Sequence, residues 1–83
     1  MRCWLVEREY DDKGLVRLVY ATPDGGQRLV SERSATMLRG VDVTAARDVD
    51  PEQLEAVDEA DRRERYAAEV ERVRGDHGPD DPI

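Results

Sequence analysis

The sequence predicts a small α+β protein, in which a three- or four-stranded antiparallel β-meander packs against a C-terminal amphipathic helix. Two observations lead to this fold class. The first half of the chain contains short apolar and β-branched runs separated by turn residues, which is typical of strands. The second half contains a longer charged segment with apolar residues at helical spacing. The 83 residues allow one domain, which we expect over residues 1–74.

The meander is predicted over residues 2–47. Its strands are expected at residues 2–10, 15–22, 27–33 and 41–47. The first connection, residues 12–14, ends in Gly14, and the second has Pro23, Asp24 and Gly25, which are residues of tight turns. Residues 34–40 are compatible with one helical turn. The run at 15–22 therefore becomes the central strand.

The first hairpin has a preferred register. A three-residue loop places Glu9 opposite Arg17, which is a favourable cross-strand pair. The same register groups the larger apolar side chains on one face of the sheet, and we take them as candidates for the core or for an interface. These candidates are Trp4, Val6, Val16, Leu18 and Tyr20.

Two helices and a tail are expected after the meander. Asp50 and Pro51 are good helix-starting residues, which predicts a short helix over residues 50–57. Residues 58–74 form the stronger helix, because Tyr66, Val70 and Val73 make a narrow apolar stripe. Residues 75–83 are rich in Gly, Pro and Asp, which predicts a disordered acidic tail.

The central strand is apolar on both faces, and the helix stripe can cover only one of them. Large exposed apolar patches usually mark interaction sites. We therefore expect the second face, or an edge strand, to contact another chain, either a second copy in a homodimer or another protein. The alternative is that residues 34–57 fold over the second face. The leading functional prediction is a non-enzymatic protein-interaction module.

The charge distribution bears on other partners. The net charge is −7, and residues 41–83 carry most of the acidic excess. This balance disfavours nucleic acid and anionic membranes as partners. The alternative is a nucleic-acid-associated or regulatory protein that uses an Arg/aromatic sheet face, with Arg8, Arg17 and Arg28 as contacts.

The sequence contains no catalytic motif, and we predict no enzyme activity, cofactor, metal or specific small-molecule ligand. Cys3 is the single cysteine, and we interpret it as a buried residue that packs in the core. His77 lies in the polar tail. No apolar run approaches the roughly 20 residues of a membrane span, and the N-terminus lacks a signal-peptide pattern. We therefore expect a cytoplasmic protein.

Three stretches together resemble a family of small, acidic, uncharacterised proteins of halophilic archaea. They are RCWLVEREYDDKGLVRLVYATPDGGQRL, SATMLRGVDVTAARDVD and RERYAAEVER. The resemblance covers nearly the whole chain and implies a salt-rich cytoplasm, where high salt screens the repulsion between carboxylates. It implies no activity and no site residues.

Overall fold

The structure is a computed structural model that describes residues 1–34 and 43–83. An antiparallel five-stranded sheet, in the order β4-β1-β2-β3-β5, packs against one C-terminal helix. The elements are β1 (Arg2–Tyr10), β2 (Leu15–Ala21), β3 (Gln27–Ser34), β4 (Ala46–Asp48), β5 (Glu55–Ala56) and α1 (Ala60–Asp76). The predicted α+β class, with a meander and a C-terminal helix, is confirmed. The helical turn predicted at 34–40 falls almost entirely outside the described residues.

The register of the first hairpin changes along its length. Glu9 pairs with Arg17 as predicted, but a β-bulge between Leu5 and Glu7 shifts the pairing beyond it. Trp4 consequently lies opposite Ala21, and Leu5 lies opposite Tyr20. Because an extra residue in one strand reverses the faces of everything past it, the prediction that Trp4 shares a face with Leu18 and Tyr20 is wrong.

Helix α1 covers the first face of the sheet. Its stripe of Tyr66, Val70 and Val73 is buried as predicted. These side chains pack with one core cluster, whose strand members include Trp4, Val19 and Ala21, and Val6 is half-buried against it. The helix begins two residues later than predicted and ends beyond Gly75, where the amide of His77 donates to the carbonyl of Val73.

The second face of the sheet is also covered within the chain. A second core cluster contains Cys3, Leu5, Val16, Leu18, Tyr20 and Val49. Val43 and Leu54 are half-buried against this cluster. Residues from the connection between β3 and α1 therefore pack on the face for which the sequence suggested another chain.

The short helix predicted at residues 50–57 is absent. Only Pro51–Gln53 form a single 3-10 turn, and Glu55–Ala56 pair with β3 as β5. The amide of Val57 donates to the carbonyl of Gly26 at 3.0 Å. Hydrogen bonds to the edge of the sheet replace helical ones here, because a segment with so few apolar residues gains little from a helical face.

The tail predicted to be disordered is instead an ordered segment. The amides of Ala45 and Ala46 donate to the carbonyls of Asp81 and Pro79, at 2.9 and 3.1 Å. The amide of Ile83 donates to the carbonyl of Val43 at 2.8 Å. Backbone pairing explains the order, since it does not depend on the polar side chains that suggested disorder.

Candidate functional site

The five predicted core or interface residues lie inside the molecule. Four of them are buried, with exposed fractions between 1% and 7%, and Val6 is half-buried. The bulge divides them between the two faces, so that Trp4 and Val6 pack toward α1 while Val16, Leu18 and Tyr20 pack on the second face. They do not form one exposed patch.

The three arginines predicted to contact nucleic acid are not brought together. Arg17 lies 3.9 Å from the carboxylate of Glu9. Arg28 forms a 2.7 Å ion pair with Glu55 and donates to the hydroxyl of Tyr66 at 3.1 Å. The hydrogen bond to Tyr66, with that to Glu55, raises the pKa of Arg28. Both arginines thus have partners on the helix side of the sheet.

Arg8 lies on the other face, with two different arginines. Residues paired across neighbouring strands project to the same face. Arg8 pairs with Leu18, Arg33 pairs with Val16, and Arg47 pairs with Cys3, and all three pairing partners belong to the second core cluster. Three strands therefore direct one guanidinium each to the second face.

The acidic side chains of the strands lie on the first face of the sheet, opposite these three arginines. Glu7 forms an ion pair with Arg65 of the helix, so the side chain of Glu7 lies on the first face. By register, the other strand carboxylates share that face. They are Glu9, Glu32, Asp48 and Glu55. Within the described strands, the charged side chains of the second face are all arginines, although the chain as a whole is acidic.

Tyr20 lies among these arginines. The guanidinium carbon of Arg47 is 5.4 Å from the centre of the Tyr20 ring, a cation–π contact. Burial raises the pKa of Tyr20, while the positive charges of Arg47, Arg33 and Arg8 act in the opposite direction. The hydroxyl therefore stays protonated at neutral pH and lies near positive charge.

The guanidinium of Arg8 donates a 2.8 Å hydrogen bond from its Nη1 to a main-chain oxygen of Ile83. In the described part of the chain, no carboxylate side chain lies within ion-pair distance of Arg8, Arg33 or Arg47. All three side chains are exposed.

A second surface feature lies at the turn end of the first hairpin, next to the connection between β1 and β2. Tyr10 is 70% exposed and Leu15 is 38% exposed, and both line a groove. The other lining residues are Glu9, Asp11, Arg17 and Glu32. Strand β4 pairs only with Arg2–Trp4, so among the described residues the outer edge of β1 beyond the bulge has no strand partner.

Cys3 and His77, the candidates for a reactive or metal-binding side chain, lie apart from the three arginines and from the groove at Tyr10. Cys3 is fully buried, and burial raises the pKa of its thiol, which is opposite to what a reactive cysteine needs. His77 follows the end of α1, and Asp81 accepts a 2.7 Å hydrogen bond from the amide of Gly78. In residues 1–34 and 43–83, no group of three potential metal ligands converges.

Sequence reasoning missed Arg33 and Arg47. Arg33 could have been found, because the parity of the meander places it on the same face as Val16 and Leu18. Arg47 could not have been found from the sequence, because its position depends on the pairing of a three-residue edge strand that is distant in sequence from β1.

The fold defines a small α+β protein with an antiparallel sheet and one helix. Within the described ranges, no helix is long and apolar enough to span a bilayer. The chain belongs to a family of unknown function (DUF7967), whose model matches residues 1–83. No curated protein and no solved structure matches the chain.

Proposed function

We propose that this protein is a non-enzymatic interaction module, a homodimer or a subunit of a larger complex. It contacts the other chain at the outer edge of β1 beyond the bulge, which has no strand partner among the described residues. The supporting observation is the exposure of Tyr10 beside that edge. Tyrosine is enriched among residues that dominate interface energetics. An open strand edge offers backbone groups that a partner strand can pair with.

The sequence suggested two positions for the contact, the second face or an edge strand, and we propose the edge strand. The apolar second face is packed by Val43, Val49 and Leu54. It therefore no longer supplies a reason for a second chain. Leu15 extends the exposed apolar area at the hairpin end, and Glu9 and Arg17 provide a charged rim.

The alternative, a nucleic-acid-associated protein using Arg8, Arg17 and Arg28, has less support. Arg28 is held by Glu55 and Tyr66, and Arg17 is near Glu9. A nucleic acid backbone bound along these arginines would have to displace these contacts.

We also propose a halophilic source, because the composition is acidic. The test is therefore made at high salt.

The test is the molar mass by light scattering after size exclusion in multimolar KCl. We expect twice the chain mass for the wild type and the single-chain mass for Tyr10→Ser, because apolar contacts persist in high salt. Lys13→Ser is the matched control, since it shortens another exposed side chain in the adjacent turn. It should leave the dimer intact.

A monomeric wild type at millimolar concentration would rule out the homodimer. The complex-subunit form is tested with a photo-crosslinking residue at position 10 and, as a control, at position 53 of the 3-10 turn. A defined adduct from position 10 alone supports the β1 edge. Equal labelling from both positions contradicts it.

A further inference from the structure

We propose that the partner at the β1 edge is a second copy of this chain, and that salt concentration controls the pairing. The two β1 strands run antiparallel about a two-fold axis, with Glu9 of each copy opposite Glu9 of the other. The inference rests on the proposed function and names the partner, the register and the regulation of that contact. It follows from the alternation of main-chain and side-chain groups along β1.

The first observation concerns the main-chain groups that β1 leaves unpaired. The amide of Asp11 donates to the carbonyl of Leu15 in β2 at 3.0 Å. Because the main-chain groups of successive strand residues point to opposite sides, those of Arg8 and Tyr10 point to the outer edge. Strand β4 pairs only with Arg2–Trp4, so this edge has no strand partner among the described residues. It can accept a strand that pairs with Arg8 and Tyr10.

The symmetry of a homodimer restricts how that strand pairs. Antiparallel strands from two identical edges are related by a two-fold axis perpendicular to the sheet, so each face of one sheet continues into the same face of the other. The side chains of Glu7 and Glu9 lie on the first face. Every register that pairs this part of β1 with itself therefore brings carboxylates of the two copies together on that face.

The second face selects one register. Arg8 and Tyr10 lie on this face at the edge, and Tyr10 is 70% exposed. With Glu9 opposite Glu9, Arg8 of each copy lies opposite Tyr10 of the other, which gives two favourable cation–π pairs. Sliding one strand by two residues would place Arg8 opposite Arg8 or Tyr10 opposite Tyr10. The hydrogen bond from Arg8 to Ile83 gives the guanidinium a defined position at the edge.

The facing glutamates make this pairing dependent on salt. Side chains directly opposite each other in antiparallel strands have Cβ atoms about 4.5–5.5 Å apart. The Debye length is about 10 Å at 0.1 M salt and about 3 Å at 1 M, so the repulsion acts at low salt and is screened at high salt. Arg17 lies 3.9 Å from Glu9, which is too long for a hydrogen bond, and offsets the repulsion only in part. The dimer therefore forms in high salt and separates in low salt.

The salt dependence is tested by light scattering over a series of KCl concentrations. We expect the dissociation constant of the wild-type dimer to fall about tenfold or more between about 0.1 M and 3 M KCl. Glu9→Gln removes the central repulsion and should dimerise about two- to fivefold more tightly than the wild type at low KCl.

Glu52→Gln is the matched control. It removes the same charge from an exposed residue of the 3-10 turn, which lies between β4 and β5 and outside the β1 edge. It should dimerise like the wild type. The variants are compared at the lowest KCl concentration at which the fluorescence of the buried Trp4 reports folded protein.

The register is tested with introduced cysteines, in multimolar KCl with oxidised glutathione. Glu9→Cys should form a disulfide between two copies, because residues opposite each other in a non-hydrogen-bonded pair have Cα atoms about 4.5 Å apart, within disulfide reach. Arg8→Cys should not, because Tyr10 lies opposite it. The native Cys3 is fully buried and should form no crosslink in the wild type.

Three results would contradict the inference and leave the dimer of the proposed function in place. They are a dissociation constant that does not change with KCl, equal dimerisation of Glu9→Gln and Glu52→Gln, and a disulfide from Arg8→Cys in place of Glu9→Cys. A wild type that is monomeric at every KCl concentration would overturn both the inference and the homodimer. A defined adduct from position 10 would then assign the edge to a different protein.

Discussion

At the residue scale, side-chain hydrogen bonds organise the turn between β2 and β3. The hydroxyl of Thr22 donates to the carboxylate of Asp24 at 2.6 Å, and the amide of Gly26 donates to the same oxygen at 2.9 Å. The bond from Thr22, followed by that from Gly26, lowers the pKa of Asp24. The aspartate in this turn is therefore stabilised in its charged form.

The lowered pKa predicts a pH-dependent contribution to stability. A carboxylate whose folded-state pKa is lowered stabilises the protein above its unfolded pKa, about 3.9, and loses this effect as pH falls through the folded value. We expect Asp24→Asn to lower the free energy of unfolding by roughly 0.5–1 kcal/mol at neutral pH, because the group is exposed and screened. Urea unfolding measures the effect.

The difference in the free energy of unfolding between the wild type and Asp24→Asn should become smaller when urea unfolding is repeated below the folded-state pKa of Asp24. Asp12→Asn is the control, because Asp12 is an exposed turn residue with no hydrogen bond in the described structure. An equal loss in both variants, or a loss independent of pH, would show that the Asp24 contacts contribute nothing specific.

At the element scale, the same turn is packed directly against the helix. Gly25 has a φ of +72° and is buried. A Cβ atom at this position would overlap the carbonyl oxygen of Arg63 and lie 2.9 Å from the nitrogen of Ala67, both in α1. Gly25 thus meets two requirements: a left-handed conformation and a close approach of turn to helix.

A comparison with Gly14 distinguishes the effect of the left-handed conformation from the effect of close packing. Gly14 has a φ of +80°, but nothing lies within 4 Å of the position of its Cβ. We expect Gly14→Ala to cost about 1–2 kcal/mol from backbone strain alone. Gly25→Ala should cost about 1–3 kcal/mol more, because the turn or the helix must move. Chemical denaturation measures both, and equal costs would mean that the turn does not pack on α1.

At the scale of the whole molecule, distant segments complete the sheet. The hydrogen bond from Arg8 to Ile83 spans 75 positions, and that from the amino group of Met1 to Val49 spans 48. Pro79 and Asp81 accept hydrogen bonds from the amides of Ala46 and Ala45, and the amide of Ile83 donates to the carbonyl of Val43. The last segment is therefore part of the folded structure.

Hydrogen exchange tests this tertiary pairing. The amides of Ala45 and Ala46 donate to carbonyls of residues 81 and 79, so we expect them to exchange many times more slowly than in an unfolded peptide. The exposed amide of Lys13, which bonds only to the neighbouring side chain of Asp11, is a suitable comparison. Exchange of all three at unfolded rates would contradict the ordered tail.

The sequence by itself determined the parts of this protein that depend on local spacing. Strands, tight turns and the stripe of Tyr66, Val70 and Val73 follow from periodicity and turn residues, which act over a few positions. Hence the fold class and the pair Glu9–Arg17 could be predicted before any contact was known.

The tertiary structure alone decided which residues share a surface. The bulge in β1 moved Trp4 to the helix face, and pairing with β1 and β3 drew Ala46–Asp48 and Glu55–Ala56 into the sheet. These outcomes depend on competition between backbone hydrogen bonds far apart in sequence, which no local pattern encodes. The same competition places Arg8, Arg33 and Arg47 on one face, because they come from β1, β3 and β4.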